Sequence, residues 1–290
     1  MWPMLIALAL ESTTVRRIAV APAETLTVAV GGRGGGPVVA MVPGLFGATY
    51  GFRHLAGPLM DAGYRVIIIE PLAVGTSGRP RRSDYSLHAQ AARIAAVLDS
   101  LDARDAVMVG HSVGGGMVLR VAVMRPELVR AIVSLEGGPA ESASTPGFRR
   151  AMQLAPFIRM FGGFRRVRGE VRKGLTRSSA DSSWVTDEVI GAYTAGAARD
   201  FNATLLAYMR IAEAREPERL APRLAELRCP VRLVLGGTPH GSGPSDAEVA
   251  RLRDMVRDFA VVTVPAAGHY PHEEQPAAVV RVVLDAAGAR

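Results

Sequence analysis

Gly110-His111-Ser112-Val113-Gly114 sets a serine between two glycines in the pattern G-x-S-x-G. That spacing suits a nucleophile on a sharp strand-to-helix turn, because flanking glycines remove side chains that would collide there. The neighbouring sequence supplies both elements: DAVMVG reads as a strand before the serine and GGGMVLRVAV as a helix after it. A helix starting behind the serine adds backbone N–H groups and a positive dipole end, both suited to an oxyanion. The chemistry indicated is acyl transfer at Ser112, with the Val113 N–H as one oxyanion donor. The competing reading is a tight glycine-rich turn holding an unactivated serine.

A serine hydroxyl is a poor nucleophile unless an imidazole takes its proton. Six histidines are available. His54 and His88 fall in helical patterns, His111 points away from the site in such a turn, and His240 is in a loop. His269, in Gly268-His269-Tyr270, follows the apolar run FAVVTVP, and His272 lies three residues further on. A third group, a carboxylate, must hold the far nitrogen of the base. Glu136 ends the run AIVSLE, where a strand's carboxyl end would present it. Asp246 is the first carboxylate after VRLVLGG and opens a helical pattern.

These groups need a scaffold, and its elements follow from periodicity. Residues 13–30 alternate as two strands of a hairpin, and Gly31 to Pro37 make a flexible turn. VVAMVP, YRVIIIEP, DAVMVG, RAIVSLE, VRLVLGG and FAVVTVP are short apolar runs, as expected of strands buried on both faces. Helical patterns fall at 51–62, 86–101, 245–257 and after Pro276. The alternation predicts an α/β fold: a mostly parallel central sheet with helices on both faces and active residues beyond the strands' carboxyl ends. Residues 139–225 break the alternation and read as a helical cap inserted into a core of residues 1–138 and 226–290. The opening MWPMLIALALES has neither the basic flank nor the length of a secretion signal, and its apolar run is too short to span a bilayer. It is expected to form a helix or arm packed on the domain, with a truncated secretion signal as the other reading.

The stretches VPGLFG, FRHLAGPLMDAGYRVIIIEPLAVGTSGRP, VMVGHSVGGGMVLRVAVMRPELV and AAGHYPHEEQP together resemble the α/β-hydrolase fold superfamily over nearly the whole chain. The resemblance implies an esterase-like serine hydrolase with Ser112 as nucleophile and His269, on the loop after the last strand, as base. It carries the second oxyanion donor to the N–H of Leu45 in Pro43-Gly44-Leu45-Phe46-Gly47; Pro43 stands where relatives often have histidine. Many relatives place the acid after the strand corresponding to VRLVLGG, but that loop has no carboxylate before Asp246. Some haloalkane dehalogenases place it at the position of Glu136, and the Gly237-Thr238-Pro239 loop and HYPHEEQP are similar to theirs. Their nucleophile is an aspartate, so the position of the acid carries over and the reaction does not. Glu70 matches a family position that is acidic and structural. Phe46, Phe161 and Trp184 are expected in the substrate wall.

The implied activity is hydrolysis of a carboxylic ester or related acyl compound. Perhydrolysis, lactone opening and carbon–carbon hydrolysis use the same triad, and a ligand receptor on this scaffold is the non-catalytic alternative. No cofactor or metal is expected, since no metal-ligand spacing is visible. The formal net charge is +7 over 290 residues, nearly all from arginine, with Lys173 the only lysine. Arg149 to Arg177 form a basic run read as a solvated helical face ahead of a contact with anionic lipid, and no nucleic-acid motif accompanies it. Cys229 is the sole cysteine, expected as an inert thiol; it excludes an intrachain disulfide and leans the localisation toward the cytoplasm. Substrate identity and oligomeric state are left open.

Overall fold

The computed structural model describes residues 12–154 and 163–288. Eight strands form one sheet: β1 (Thr13–Ala21), β2 (Glu24–Gly32), β3 (Val38–Val42), β4 (Arg65–Glu70), β5 (Ala106–His111), β6 (Val129–Leu135), β7 (Val231–Gly236) and β8 (Phe259–Val264). Their spatial order is β1-β2-β4-β3-β5-β6-β7-β8. The β1–β2 hairpin is antiparallel and pairs antiparallel with β4; every pairing from β4 to β8 is parallel. The strands and the hairpin read from the sequence are all present. The N-terminal helix or arm expected before them falls on residues 1–11, outside the described residues.

The continuous apolar runs divide between two faces with the strand period of two. Val38, Ala40 and Val42 of β3 join one core cluster, whereas Val39 and Met41 join the other. The second cluster is covered by α1 (Arg53–Asp61) through Leu55, Ala56 and Leu59, and by the C-terminal helix through Val279, Val283 and Ala286. The first is covered by α2 (Leu87–Ser100) and α3 (Val113–Met124). Burial on both faces is what allows a parallel sheet without polar alternation.

Between β6 and β7 the described residues hold no strand, five α-helices and a short 3-10 helix (Ala221–Glu226): the α-helices are α4 (Pro146–Gln153), α5 (Gly163–Arg177), α6 (Asp187–Tyr193), α7 (Ala195–Arg199) and α8 (Phe201–Glu213). Side-chain caps start three of them: Thr145 accepts from Phe148 N, Thr186 from Val189 N and Asp200 from Ala203 N. Helix α5 carries much of the basic run and buries only Leu175. Its charge is partly matched locally, with Arg168 and Arg172 facing Asp187 and Lys173 paired to Glu170. After β7 come α9 (Asp246–Met255), α10 (Pro271–Glu274) and α11 (Pro276–Gly288). Among the described residues no helix is long and apolar enough to cross a membrane. Burial raises the Cys229 thiol to about 11, as expected of an inert thiol.

Glu70, at the end of β4, ties together the loops that border the cleft. Oε1 accepts from the Thr49 N–H (2.8 Å) and hydroxyl (2.9 Å), and Oε2 from the Thr76 N–H (2.6 Å) and hydroxyl (3.0 Å). The carboxylate is thus a structural anchor, as its position in the sequence suggested. In Glu70→Gln one oxygen becomes an NH2 that cannot accept, leaving a backbone N–H and a hydroxyl without their acceptor. The expected loss is about 2 kcal/mol, read as a lower urea midpoint with an unchanged m-value.

Candidate active site

Strand β5 ends at His111 and α3 begins at Val113, so the chain reverses at Ser112 alone, with φ 52° and ψ −124°. A non-glycine residue at positive φ is disfavoured and persists only where its surroundings over-determine it. Glycines provide that fit. A Cβ on Gly110 would lie 2.5 Å from Gly114 O, and one on Gly114 would run into Val42 O. Ser112 N donates to Leu135 O at 2.8 Å, locking the turn onto β6.

The loop after β3 comes close to this turn: a Cβ on Gly44 would lie 3.1 Å from Ser112 Cβ. That approach brings Leu45, Phe46 and Val113 to the cavity that Ser112 lines. Neither the Leu45 nor the Val113 amide has a hydrogen-bond partner among the described residues. Both N–H groups remain available for a negatively charged oxygen.

Three chemical groups meet at the carboxyl ends of β6, β7 and β8. Glu136 follows β6 with φ 54°, its N–H bonded to Val234 O at 2.9 Å. Its carboxylate is buried, and Oε1 accepts from Gly236 N. Oε2 lies 3.8 Å from Nδ1 of His269. That nitrogen is buried and has no hydrogen-bond partner among the described residues, and the Glu136 carboxylate is the acceptor it faces. The ring's own loop is fixed by His269 N donating to Ser178 O (2.7 Å) and by His111 Nε2 donating to His269 O (2.9 Å). Ser112 and His269 line the same cavity, of about 730 Å3, and no hydrogen bond joins them among the described residues. Such contacts are often long in a free enzyme and tighten with substrate.

His240 is the residue the sequence did not single out. Its Nε2 sits 3.3 Å from the same Glu136 Oε2, while its Nδ1 accepts from Ser242 N at 3.3 Å. Nδ1 as acceptor places the proton on Nε2, facing the carboxylate. A glycine at 243 makes room, since a Cβ there would lie 2.5 Å from Oε2. Glu136, His240 and His269 also form a cluster whose ligand atoms lie within 4.8 Å of one another, although the sequence shows no metal-ligand spacing. A cation there would occupy the imidazole nitrogen that the carboxylate orients, so the cluster is better described as a hydrogen-bonding constellation. Nothing local in the Thr238-to-Gly243 loop signals this contact with a residue a hundred positions earlier.

The other expected positions divide. Asp246 is exposed in the first turn of α9, whose N-cap is Ser245 in a capping box with Glu248; it does not line the cavity. Phe46 does line it and packs edge-on against Phe148 and Tyr208. Trp184 requires a correction: it is not among the lining residues, because its ring packs on Tyr193 and Tyr270 and its Nε1 donates to Ser179 Oγ. Phe161 lies outside the described residues. Tyr193, Tyr270 and Phe148 line the cavity instead.

Comparison with known proteins gives a consistent picture. A family model described as the alpha/beta hydrolase fold matches residues 37–184. Epoxide hydrolase A of Mycobacterium tuberculosis is 32% identical over 122 residues, covering 42% of this chain and 38% of that protein. The sn-1-specific diacylglycerol lipase ABHD11 of Mus musculus is 27% identical over 257 residues, 83% of this chain and 77% of that one. The first curated relatives are matched over only 38–40% of their length. An esterase from Exiguobacterium antarcticum superposes with a TM-score of 0.77 at 14% identity, covering 95% of this chain and all of that one, a likeness of fold.

Around the site, burial keeps three histidines neutral. It lowers His272 to about 3, aided by His269 and Arg53, and His54 to about 4, aided by Arg53; His111 is likewise held well below its usual value. An unfolded chain protonates these rings below about 6.5. The folded state therefore binds fewer protons between about 6.5 and about 3–4, and stability falls as pH falls through that window. The melting temperature is expected to drop steadily from pH 7 to pH 4, with a shallower slope in His54→Gln. A flat profile would show that these rings do not titrate between the folded and unfolded states.

Proposed function

The chain belongs to the α/β-hydrolase fold family, and on that premise we propose that it is a serine hydrolase cleaving a carboxylic ester or related acyl compound. The reading rests chiefly on Ser112, held at positive φ where β5 meets α3, facing the same cavity as His269. Ser112 Oγ attacks the carbonyl carbon while His269 takes its proton. The Leu45 and Val113 N–H groups hold the oxyanion, and Glu136 stabilises the imidazolium through Nδ1. His269 then protonates the leaving alcohol. A water activated by the same ring releases the acid from the acyl-serine.

The relatives named for epoxide hydrolysis do not set the reaction here. Opening an epoxide attacks a saturated carbon. A serine would be left as an ether, which an activated water does not cleave, whereas a carboxylate nucleophile leaves a hydrolysable ester. Ser112 therefore favours acyl chemistry. The helices between β6 and β7 act in this reading as a cap over the acyl site.

A fluorophosphonate probe is expected to label Ser112, and Ser112→Ala to lose p-nitrophenyl ester hydrolysis by roughly ten-thousandfold or more, on the order seen when a triad member is removed. Glu136→Gln should lower kcat on the order of ten-thousandfold, with Asp246→Asn leaving it unchanged. Ester hydrolysis that survives Ser112→Ala would overturn the assignment. A protein that binds esters without labelling or turnover would be a receptor on this scaffold.

A further inference from the structure

A second cavity, of about 360 Å3, adjoins the one over Ser112. The two share Phe46, Phe148, Gly174, Tyr193 and Tyr270, so they meet along one wall. Beyond that wall the lining is largely apolar, with Met152, Val167, Val171, Leu175, Phe201 and Leu205. That volume and its apolar lining leave room for an acyl chain of medium length.

Arg79 belongs to this second cavity and not to the first. Its Nη1 donates to Ser77 O (2.6 Å) and Nη2 to Gly75 O, both in its own loop. Its Nε is buried with no hydrogen-bond partner among the described residues. The arginines buried in the core are each matched: Arg53 meets Glu273 at 2.7 Å, Arg93 meets Glu24 at 2.7 Å and Arg120 meets Glu216 at 3.5 Å. Arg79 has no such carboxylate among the described residues; the nearest acidic influences, Glu70 and Asp200, act only at longer range. Glu70 is spent on Thr49 and Thr76. Glu170, also on the cavity's border, is exposed and paired with Lys173. Burial disfavours the Arg79 cation, which makes an incoming anion a favourable partner.

We propose that Arg79 is a specificity residue that binds a carboxylate at the far end of an acyl chain, so that the preferred substrates are half-esters of medium-length dicarboxylic acids. The chain fills the apolar cavity, the ester carbonyl reaches Ser112, and the free carboxylate accepts from the Arg79 guanidinium, whose planar fork matches it. The proposal rests on the serine hydrolase reading for turnover but not for binding. Water and the half-ester yield the dicarboxylate and the alcohol, with no further reactant.

The test compares mono-p-nitrophenyl suberate with p-nitrophenyl octanoate, which has the same chain length and no terminal charge. The suberate ester is expected to have a kcat/KM about tenfold higher, the scale of one charge-assisted hydrogen bond. The ratio should collapse to one or below in Arg79→Met and be partly retained in Arg79→Lys. Suberate itself should bind Ser112→Ala by calorimetry and not Ser112→Ala/Arg79→Met. If Arg79→Met does not fold, inhibition of wild-type octanoate hydrolysis by suberate, compared with its weakening in Arg79→Lys, decides the same point. A wild-type ratio at or below one, or a ratio indifferent to Arg79, overturns the proposal while leaving ester hydrolysis intact. Suberate binding through Arg79 without turnover of either ester overturns the hydrolase reading and leaves the binding site standing.

Discussion

Two neighbouring parallel strands, β5 and β6, are each followed at once by a non-glycine residue forced to positive φ: Ser112 and Glu136. A left-handed turn at such residues costs on the order of 1–3 kcal/mol each. The sheet offsets it by interlocking the two turns. Ser112 N bonds to Leu135 O, Glu136 N to Val234 O, and a Cβ on Gly137 would run into Ser112 O. Side chains that would otherwise follow the strand's up-and-down pattern are instead thrown forward off the sheet edge. The relative placement of hydroxyl and carboxylate is therefore set by backbone register, which is stiffer than any side-chain contact.

The rest of the site is organised around the desolvation this placement creates. Glu136 is buried, so its charge requires donors: Gly236 N–H on one oxygen and two imidazoles facing the other. His240 and His269 approach a single oxygen, so His240 helps hold the carboxylate in place while drawing on the same lone pairs that face His269. The neighbouring His111 and His272 are buried deeply enough to stay neutral, which keeps further positive charge away from His269.

How far the sequence reveals this depends on whether a feature is local. The strands are legible because parallel strands covered on both sides are continuous apolar runs, as in RVIIIE and AIVSL. Ser112 is legible because the glycines its turn requires are its neighbours in the chain. His269, Glu136 and Leu45 emerge through family resemblance, since the strand ends that bring them together are distant in sequence. Trp184 is misplaced for a physical reason: a large aromatic side chain has to be covered by something, and pattern alone does not tell whether it forms the cavity wall or packs behind Tyr193 and Tyr270, which do. His240 and Arg79 lie in loops without periodicity, and each acquires its meaning from what it faces, a shared carboxylate in one case and, among the described residues, no paired carboxylate in the other.

The backbone amide of His269 donates to the carbonyl of Ser178, just beyond the last turn of α5, and Ser178 Oγ is hydrogen-bonded to Ser242 in the His240 loop. The segment between β6 and β7 is therefore not an interchangeable module resting on an independent core. Grafting a foreign segment in its place, as one would to redirect selectivity, would also remove a support of the imidazole. Recombination between relatives would succeed more readily when the crossover keeps the Ser178 region and the last loops from the same parent.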